Sequence, residues 1–281
     1  MNIIKNLEQI KIDENKKKHY YSYKNVKFLT NCFLAIRLIV IFHGTRSNNP
    51  MPIFRGYDYF FKDSIVLSIS DPLCELYPNI KIGWYLDTHK LNITDVVIEI
   101  VQHLKTKCNC VDVLFCSNCS GALFAFKLSC ILKENLLIGN PHLVLSTTSH
   151  WTKESIDAGF RMPLTEEEIK SGKRLSILHE EVKNDPNNFF INHINFDAVE
   201  IIKYYGLPNK ILAITHELDY TVEGMNRVAD CINSLGMNTE NFRFIFHSTP
   251  TDSPHHTPFP FNKTLKDYIE HYDVFFHIDV A

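Results

Sequence analysis

Leu114-Phe115-Cys116-Ser117-Asn118-Cys119-Ser120-Gly121-Ala122 decides how this chain folds. The apolar run from Val111 to Cys116 reads as a buried strand. It turns through small and polar residues straight into Ala122-Leu123-Phe124-Ala125-Phe126-Lys127-Leu128, where the apolar spacing is helical. A strand-to-helix turn of the form small-x-tip-x-small is sharp, and it lifts the middle side chain above the sheet. Ser117 and Gly121 fill the small positions, which puts Cys119 at the tip. The alternative register pairs Cys116 with Ser120 and leaves Asn118 there, and Asn is no nucleophile. The Cys119 register is preferred because the helix then opens Gly121-Ala122 and sets Ala125 against the sheet, an approach that only small residues allow. The competing reading is a buried free cysteine with no chemistry.

Around that window the chain is ordinary in bulk. Its 281 residues suit one large α/β domain or two small ones, and 45% hydrophobic with 22% charged residues is globular composition. A formal charge of −3 gives no sign of a nucleic-acid partner, and Lys16-Lys17-Lys18 reads as a solvated loop. No segment approaches the ~20 apolar residues that span a bilayer. The start, Met1-Asn2-Ile3-Ile4-Lys5, has no signal-peptide apolar region, so a cytoplasmic protein is expected, with peripheral attachment at the inner membrane left open. Eight cysteines in such a chain suggest free thiols. Cys108-x-Cys110 and Cys116-x-x-Cys119 superficially resemble a zinc knuckle, but the strand Val111–Phe115 holds the two pairs apart, and no metal is expected.

Strand-like and helix-like segments alternate, which predicts an α/β fold with a mostly parallel sheet and helices on both faces. The pattern gives strands at Phe33–Phe42, Ser64–Ile69, Val111–Cys116, Asn135–Ile138, Lys210–Thr215 and Phe242–Phe246. Helices are expected at Thr94–Leu104 with Thr94 as N-cap, from Gly121 to about Leu132, and at Ala198–Tyr205, Val222–Leu235 and Lys263–Tyr272. Between about 146 and 195 the texture changes to charged and loop-like, as in an inserted cap over the sheet edge; a surface excursion without a role is the alternative. With no repeats and no Gly/Ser linker, residues 1–281 read as a single domain.

The elbow around Cys119, the strand ending His43-Gly44 and the late histidines resemble the α/β-hydrolase superfamily over nearly the whole chain. That resemblance implies a nucleophile, an acid and a histidine in that order along the sequence. The acid is expected after the next-to-last strand, in His216-Glu217-Leu218-Asp219-Tyr220, where Asp219 is the first choice and Glu217 the alternative. The histidine is expected in Ser248–Pro258, where His256 is chosen over His255, with His247 an outsider still on the strand. The oxyanion donors would be backbone N–H groups of Ser120, at a helix N-terminus that favours negative charge, and of Thr45 in His43-Gly44-Thr45. The same helix terminus and a nearby histidine would favour the Cys119 thiolate. Arg46 could bind an acyl-donor phosphate or carboxylate; a surface salt bridge is its commoner fate.

A narrower likeness rests on His43-Gly44-Thr45-Arg46, Ser68-Ile69-Ser70-Asp71-Pro72, Gly83-Trp84-Tyr85-Leu86, Ser117-Asn118-Cys119-Ser120-Gly121 and Gly139-Asn140-Pro141. With these the chain resembles a bacterial subgroup associated with capsule and surface-polysaccharide biosynthesis, and is similar in layout to capsule O-acetyltransferases of this fold. The resemblance implies acyl transfer from acetyl-CoA to a saccharide or polysaccharide hydroxyl through a covalent acyl-enzyme, with no bound cofactor. It departs from the pattern at Cys119, where serine is usual, and at Ala122, where the usual residue is glycine. An esterase or thioesterase would use the same residues with water as acceptor. A non-catalytic subunit among capsule-assembly proteins is the third reading. Gly83-Trp84-Tyr85 could offer an aromatic platform for a sugar, against the commoner fate of core packing.

Overall fold

Strands buried on both faces carry apolar residues at nearly every position, and such runs assemble into parallel sheets covered by helices. The computed structural model describes residues 1–44, 51–76, 83–88, 91–143, 197–236 and 239–277. Among these residues nine strands form one sheet: β1 (Asn2–Ile3), β2 (His19–Tyr23), β3 (Val26–Thr30), β4 (Arg37–Phe42), β5 (Ser64–Ile69), β6 (Asp112–Asn118), β7 (Asn135–Gly139), β8 (Lys210–His216) and β9 (Phe242–His247). Their spatial order is β1-β2-β3-β5-β4-β6-β7-β8-β9. From β5 to β9 every neighbour pair is parallel. The sheet is continued by an antiparallel β2–β3 hairpin, with β3 antiparallel to β5. The hairpin turns through Lys24 and Asn25, both at positive φ (45° and 65°), as a two-residue reversal requires.

The described helices are α1 (Pro72–Leu76), α2 (Ile93–Lys107), α3 (Ala122–Leu132), α4 (Ala198–Tyr205), α5 (Val222–Ser234) and α6 (Leu265–Glu270). One apolar cluster joins α2, α3, α4 and α5 to one face of the sheet, through residues such as Val97, Leu104, Phe126, Ile201 and Val228. The opposite face, with Ile39, Ile41, Leu114 and Leu212, is covered by Leu265, Tyr268 and Ile269 of α6. Helices therefore lie on both faces of a mostly parallel sheet. Among the described residues no helix is long and apolar enough to cross a membrane.

Helix α3 is apolar almost throughout, yet it carries one inward-facing charge. Lys127 Nζ lies 2.8 Å from Asp87 Oδ2 and donates to Thr94 Oγ1 at 2.7 Å, and both ions are buried. This ties the elbow helix to the start of α2, since removing either partner would strand a buried charge. It also corrects the expected cap: Asn92, whose side chain accepts from Asp95 N–H, caps α2, and Thr94 serves the ion pair.

Other boundaries differ for physical reasons. The strand expected from Phe33 begins at Arg37, because the Ala35 N–H is drawn to the Cys108 carbonyl at the end of α2 and residues 33–36 leave the ladder. The last helix is shorter than Lys263–Tyr272: Thr264 and Asp267 form a capping box at its start, and a 3₁₀ turn, Tyr272–Phe276, follows it. The antiparallel hairpin was not expected. The inserted segment expected at about 146–195 lies outside the described residues.

Candidate active site

Cys119 sits where β6 ends, with φ 56°, a left-handed conformation that costs a non-glycine residue about 1–2 kcal/mol. Asn118 before it is extended (φ −122°, ψ 155°), and a 3₁₀ turn, Cys119–Gly121, runs directly into α3. The chain therefore reverses at Cys119, not at Asn118. Positions 117 and 121 face each other so closely that a Cβ on Gly121 would lie 2.4 Å from Ser117 Oγ and 2.6 Å from the His43 carbonyl. Cys119 is part-exposed, while Ser120 beside it is buried, its N–H in the first turn of the helical segment where donors lack intrahelical partners.

The chain beside the elbow, at the end of β4, is fixed by a buried cluster. His43 Nε2 accepts from the Asp71 N–H at 3.0 Å, which leaves its Nδ1–H to donate to the Gly44 carbonyl at 2.6 Å. The His43 N–H donates to Tyr85 Oη at 3.0 Å, and that hydroxyl donates to the Ile69 carbonyl at 2.9 Å. Asp71 accepts from the Leu73 and Tyr85 N–H groups, and burial raises its carboxyl to about 6 against those backbone bonds. A Cβ on Gly83 would approach Asp71 Oδ2 to 2.6 Å, so glycine is required there. His43-Gly44, Ser70-Asp71-Pro72 and Gly83-Trp84-Tyr85 thus converge on one assembly. Trp84 and Tyr85 are 6% and 1% exposed, and Tyr85 stacks on Phe124 at 5.2 Å; they are packed in the core, not presented as a sugar platform. Thr45 and Arg46 lie outside the described residues.

On the other side of Cys119, Asn140 and His216 fasten together the loops that carry the expected acid and histidine. Asn140 Oδ1 accepts from Thr215 Oγ1 (2.9 Å) and from the His216 N–H (3.2 Å), and its Nδ2 donates to the Pro254 carbonyl at 3.1 Å. His216 Nδ1 accepts from the Leu218 N–H at 3.1 Å, so Nε2 carries the proton and donates to the Thr249 carbonyl at 2.9 Å. Three strand ends and the histidine-bearing loop are thereby held in register. Asp219 is buried at 4% exposure and its Oδ1 accepts from the Thr221 N–H at 2.8 Å, whereas Glu217 is exposed. His256 is exposed and ends a 3₁₀ turn, Pro254–His256, in the loop after β9; the side chain of His255 lies outside what is described. His247 remains on β9, packed edge-on against His216 at 5.0 Å, with burial holding its imidazole below the ordinary range.

The histidine that the structure sets against the thiol is one that sequence reasoning passed over. His142 Nε2 lies 3.5 Å from Cys119 Sγ, and the backbone N–H of His142 donates to the Cys119 carbonyl at 3.2 Å. Tyr220 Oη forms a hydrogen bond with the same Nε2. Burial, followed by the nearby Cys119 and Asp219, raises the Tyr220 phenol well above its ordinary range, which places thiol, phenol and carboxylate in one electrostatic neighbourhood. His142 follows Gly139-Asn140-Pro141 directly, so the available signal was a histidine at the end of the strand next to the elbow. A cavity of about 260 Å³ opens here, with His142, Tyr220, Glu223 and Arg227 in its wall. A larger open groove at the β1–β2 edge, about 870 Å³, lies away from Cys119.

The two cysteine pairs considered as a knuckle stand at opposite ends of β6, about 20 Å apart for seven residues of strand. Cys108 instead lies 3.2 Å, sulfur to sulfur, from Cys32. Among the described residues no group of three or more His, Cys, Asp or Glu side chains is placed to hold a metal ion.

The sheet order, the left-handed elbow and the loops at the strand ends define the α/β-hydrolase fold. Among solved structures, the capsule O-acetyltransferase of Neisseria meningitidis serogroup A is similar with a TM-score of 0.60 and 13% identity, over 92% of this chain and 94% of that one. A mutant of that enzyme in complex with CoA gives 0.56 and 12%, over 95% and 99%. A hormone-sensitive lipase from a metagenome library gives 0.52 and 11%, over 96% and 88%. At such identities the likeness is one of fold. No protein-family model and no curated protein matches the chain.

Proposed function

We propose that this protein is an acyltransferase of the O-acetyltransferase type, which moves an acyl group from acetyl-CoA to a hydroxyl of a capsular or surface polysaccharide. The observation that carries this reading is Cys119 at the left-handed tip of the elbow, part-exposed and in contact with a histidine. Cys119 attacks the donor thioester, and the Ser120 N–H, with that of Thr45, receives the oxyanion. His256, with His255 as the alternative, carries the acceptor's proton, and Asp219 orients it. The burial of Asp219 against the exposure of Glu217 supports that choice of acid. The acceptor and donor classes are supported by the fold shared with a capsule O-acetyltransferase and with its mutant in complex with CoA. No cofactor beyond the acyl donor is called for.

The test is intact-protein mass after mixing with acetyl-CoA, beside a Cys119→Ala variant. One acetyl adduct on the wild type and none on the variant is expected, followed by its loss to a saccharide acceptor faster than to water. Loss to water at the same rate would make the protein an esterase or thioesterase. A folded protein that takes no acyl group from acetyl-CoA or activated esters would have a binding role among capsule-assembly proteins instead.

A further inference from the structure

We infer that His142 is the group that takes the proton of Cys119, so that two histidines divide the chemistry at this site. This rests on Cys119 being the nucleophile. The geometry is specific: Nε2 of His142 faces Sγ at 3.5 Å, while the backbone of His142 is tied to the Cys119 carbonyl at 3.2 Å. That backbone bond keeps the main chain of His142 beside the elbow, within reach of the thiol. Tyr220 Oη bonds to the same nitrogen, whose single lone pair takes one proton at a time, so this bond opens as the thiol proton is taken; Tyr220 is a positioning residue.

The step balances simply. The S–H bond of Cys119 breaks, its electron pair stays on sulfur, and an N–H bond forms at His142 Nε2. The thiolate adds to the acyl carbon, and the imidazolium returns its proton to the departing CoA sulfur, which leaves as the thiol. The late-loop histidine is then needed only for the acceptor: it takes the hydroxyl proton and gives it to Cys119 sulfur as the ester departs. This division explains why a histidine lies beside Cys119 in addition to those of the loop after β9.

Ionisable groups around the pair come from every neighbouring element. Tyr220 and Asp219 stand on the β8–α5 turn, Glu223 and Arg227 line the cavity wall from α5, and His256 lies in the loop after β9. His43, behind Gly44, has both ring nitrogens engaged. Of these, Arg227 is held by Asp197 at 2.8 Å, and His142 is a base in contact with the sulfur.

The experiment is the rate of Cys119 alkylation by iodoacetamide against pH, read peptide by peptide, with Cys231 as an internal reference because it too is part-exposed. A thiolate formed by an adjacent histidine reacts well below the ordinary thiol range near pH ~8.5. His142→Gln and His142→Asn are expected to slow Cys119 alkylation about tenfold at pH 7. They should converge with wild type near pH ~10, where any thiol ionises. That convergence also reports an intact site. The double variant His255→Gln/His256→Gln should leave the alkylation profile unchanged while abolishing acyl turnover. A His142→Gln profile that superimposes on wild type, or runs parallel to it at every pH, overturns the inference. So does a late-loop variant that shifts the profile in its place. Wild-type Cys119 that alkylates no faster than Cys231 at pH 7 would instead defeat the nucleophile reading itself.

Discussion

The two flanks of Cys119 are held by different bonding. Toward β4, the His43, Asp71 and Tyr85 cluster is fully buried and made mostly of backbone groups received by side chains fixed in the core. Toward β8 and β9, one amide and one imidazole, Asn140 and His216, bridge otherwise separate loops, and the side chains beyond them are partly exposed. The first flank is rigid through packing and shapes the place where an oxyanion would sit. The second depends on a few polar bridges and carries the groups proposed to exchange protons. The proposed acyl transfer, which would both hold charge still and pass protons, would use one flank of each kind.

The sharpest way to break this contrast is at the acid. Asp219→Asn keeps an acceptor for the Thr221 N–H, so stability should barely change, while hydrolysis of an activated ester should fall by about 10³-fold. Glu217→Gln, at an exposed position, should leave that rate intact. Equal losses in the two variants, or none in either, would remove Asp219 from the mechanism.

Next comes the bridge itself. Asn140→Ala leaves the buried His216 N–H without that acceptor and removes one partner each from Thr215 Oγ1, which keeps Thr221, and the part-buried Pro254 carbonyl, which keeps the Thr257 N–H; a cost of roughly 2 kcal/mol is expected in urea unfolding. Asn140→Asp retains the acceptor and should cost clearly less, with turnover reduced because only the histidine loop is released. If both variants unfold like wild type, the flank is held by packing and the contrast drawn above is wrong.

How much of this was legible in the sequence follows from the same physics. The elbow could be read because a tight strand-to-helix reversal demands small residues at 117 and 121, and steric demand leaves a local signature. The parallel strands could be read because burial on both faces demands continuous apolar runs. The hairpin β2–β3 was missed because Lys24-Asn25 adopts the left-handed turn without the glycine that usually announces it. Core packing was the favoured fate of Trp84 and Tyr85 and both are buried; the platform stayed open beside it because exposure is a tertiary property that composition does not carry. His142 was passed over because its partner lies 23 residues away, across a strand boundary, and no spacing rule links them.

The buried flank has its own signature in pH. Burial raises the Asp71 carboxyl to about 6, above its value of 3.8 in the open chain. Between about pH 4 and 6 the folded protein therefore holds a proton that the unfolded chain has released, and stability falls as pH rises through that window, by about 3 kcal/mol. Asp71→Asn cannot titrate, so the stability gap between wild type and variant should change by that amount from pH 4 to 7 and be level above it. Urea unfolding at four pH values measures this. A gap that stays constant would mean Asp71 is ionised throughout, and the flank would be held by charge after all.

The smallest effect tests whether that flank is rigid through hydrogen bonding or through shape. Tyr85→Phe preserves the stack on Phe124 and removes only the hydroxyl between the His43 N–H and the Ile69 carbonyl. One buried donor and one buried acceptor are orphaned, for about 2 kcal/mol. Tyr272→Phe on the opposite face removes a single long contact, 3.3 Å to the Leu136 carbonyl, and should cost less than half as much. Thermal melting separates the two. If Tyr85→Phe melts with Tyr272→Phe, the aromatic stack positions His43-Gly44 and the hydroxyl is incidental. If it melts well below, the chain beside the elbow is held by the bond to His43, and acyl-enzyme formation should slow with it.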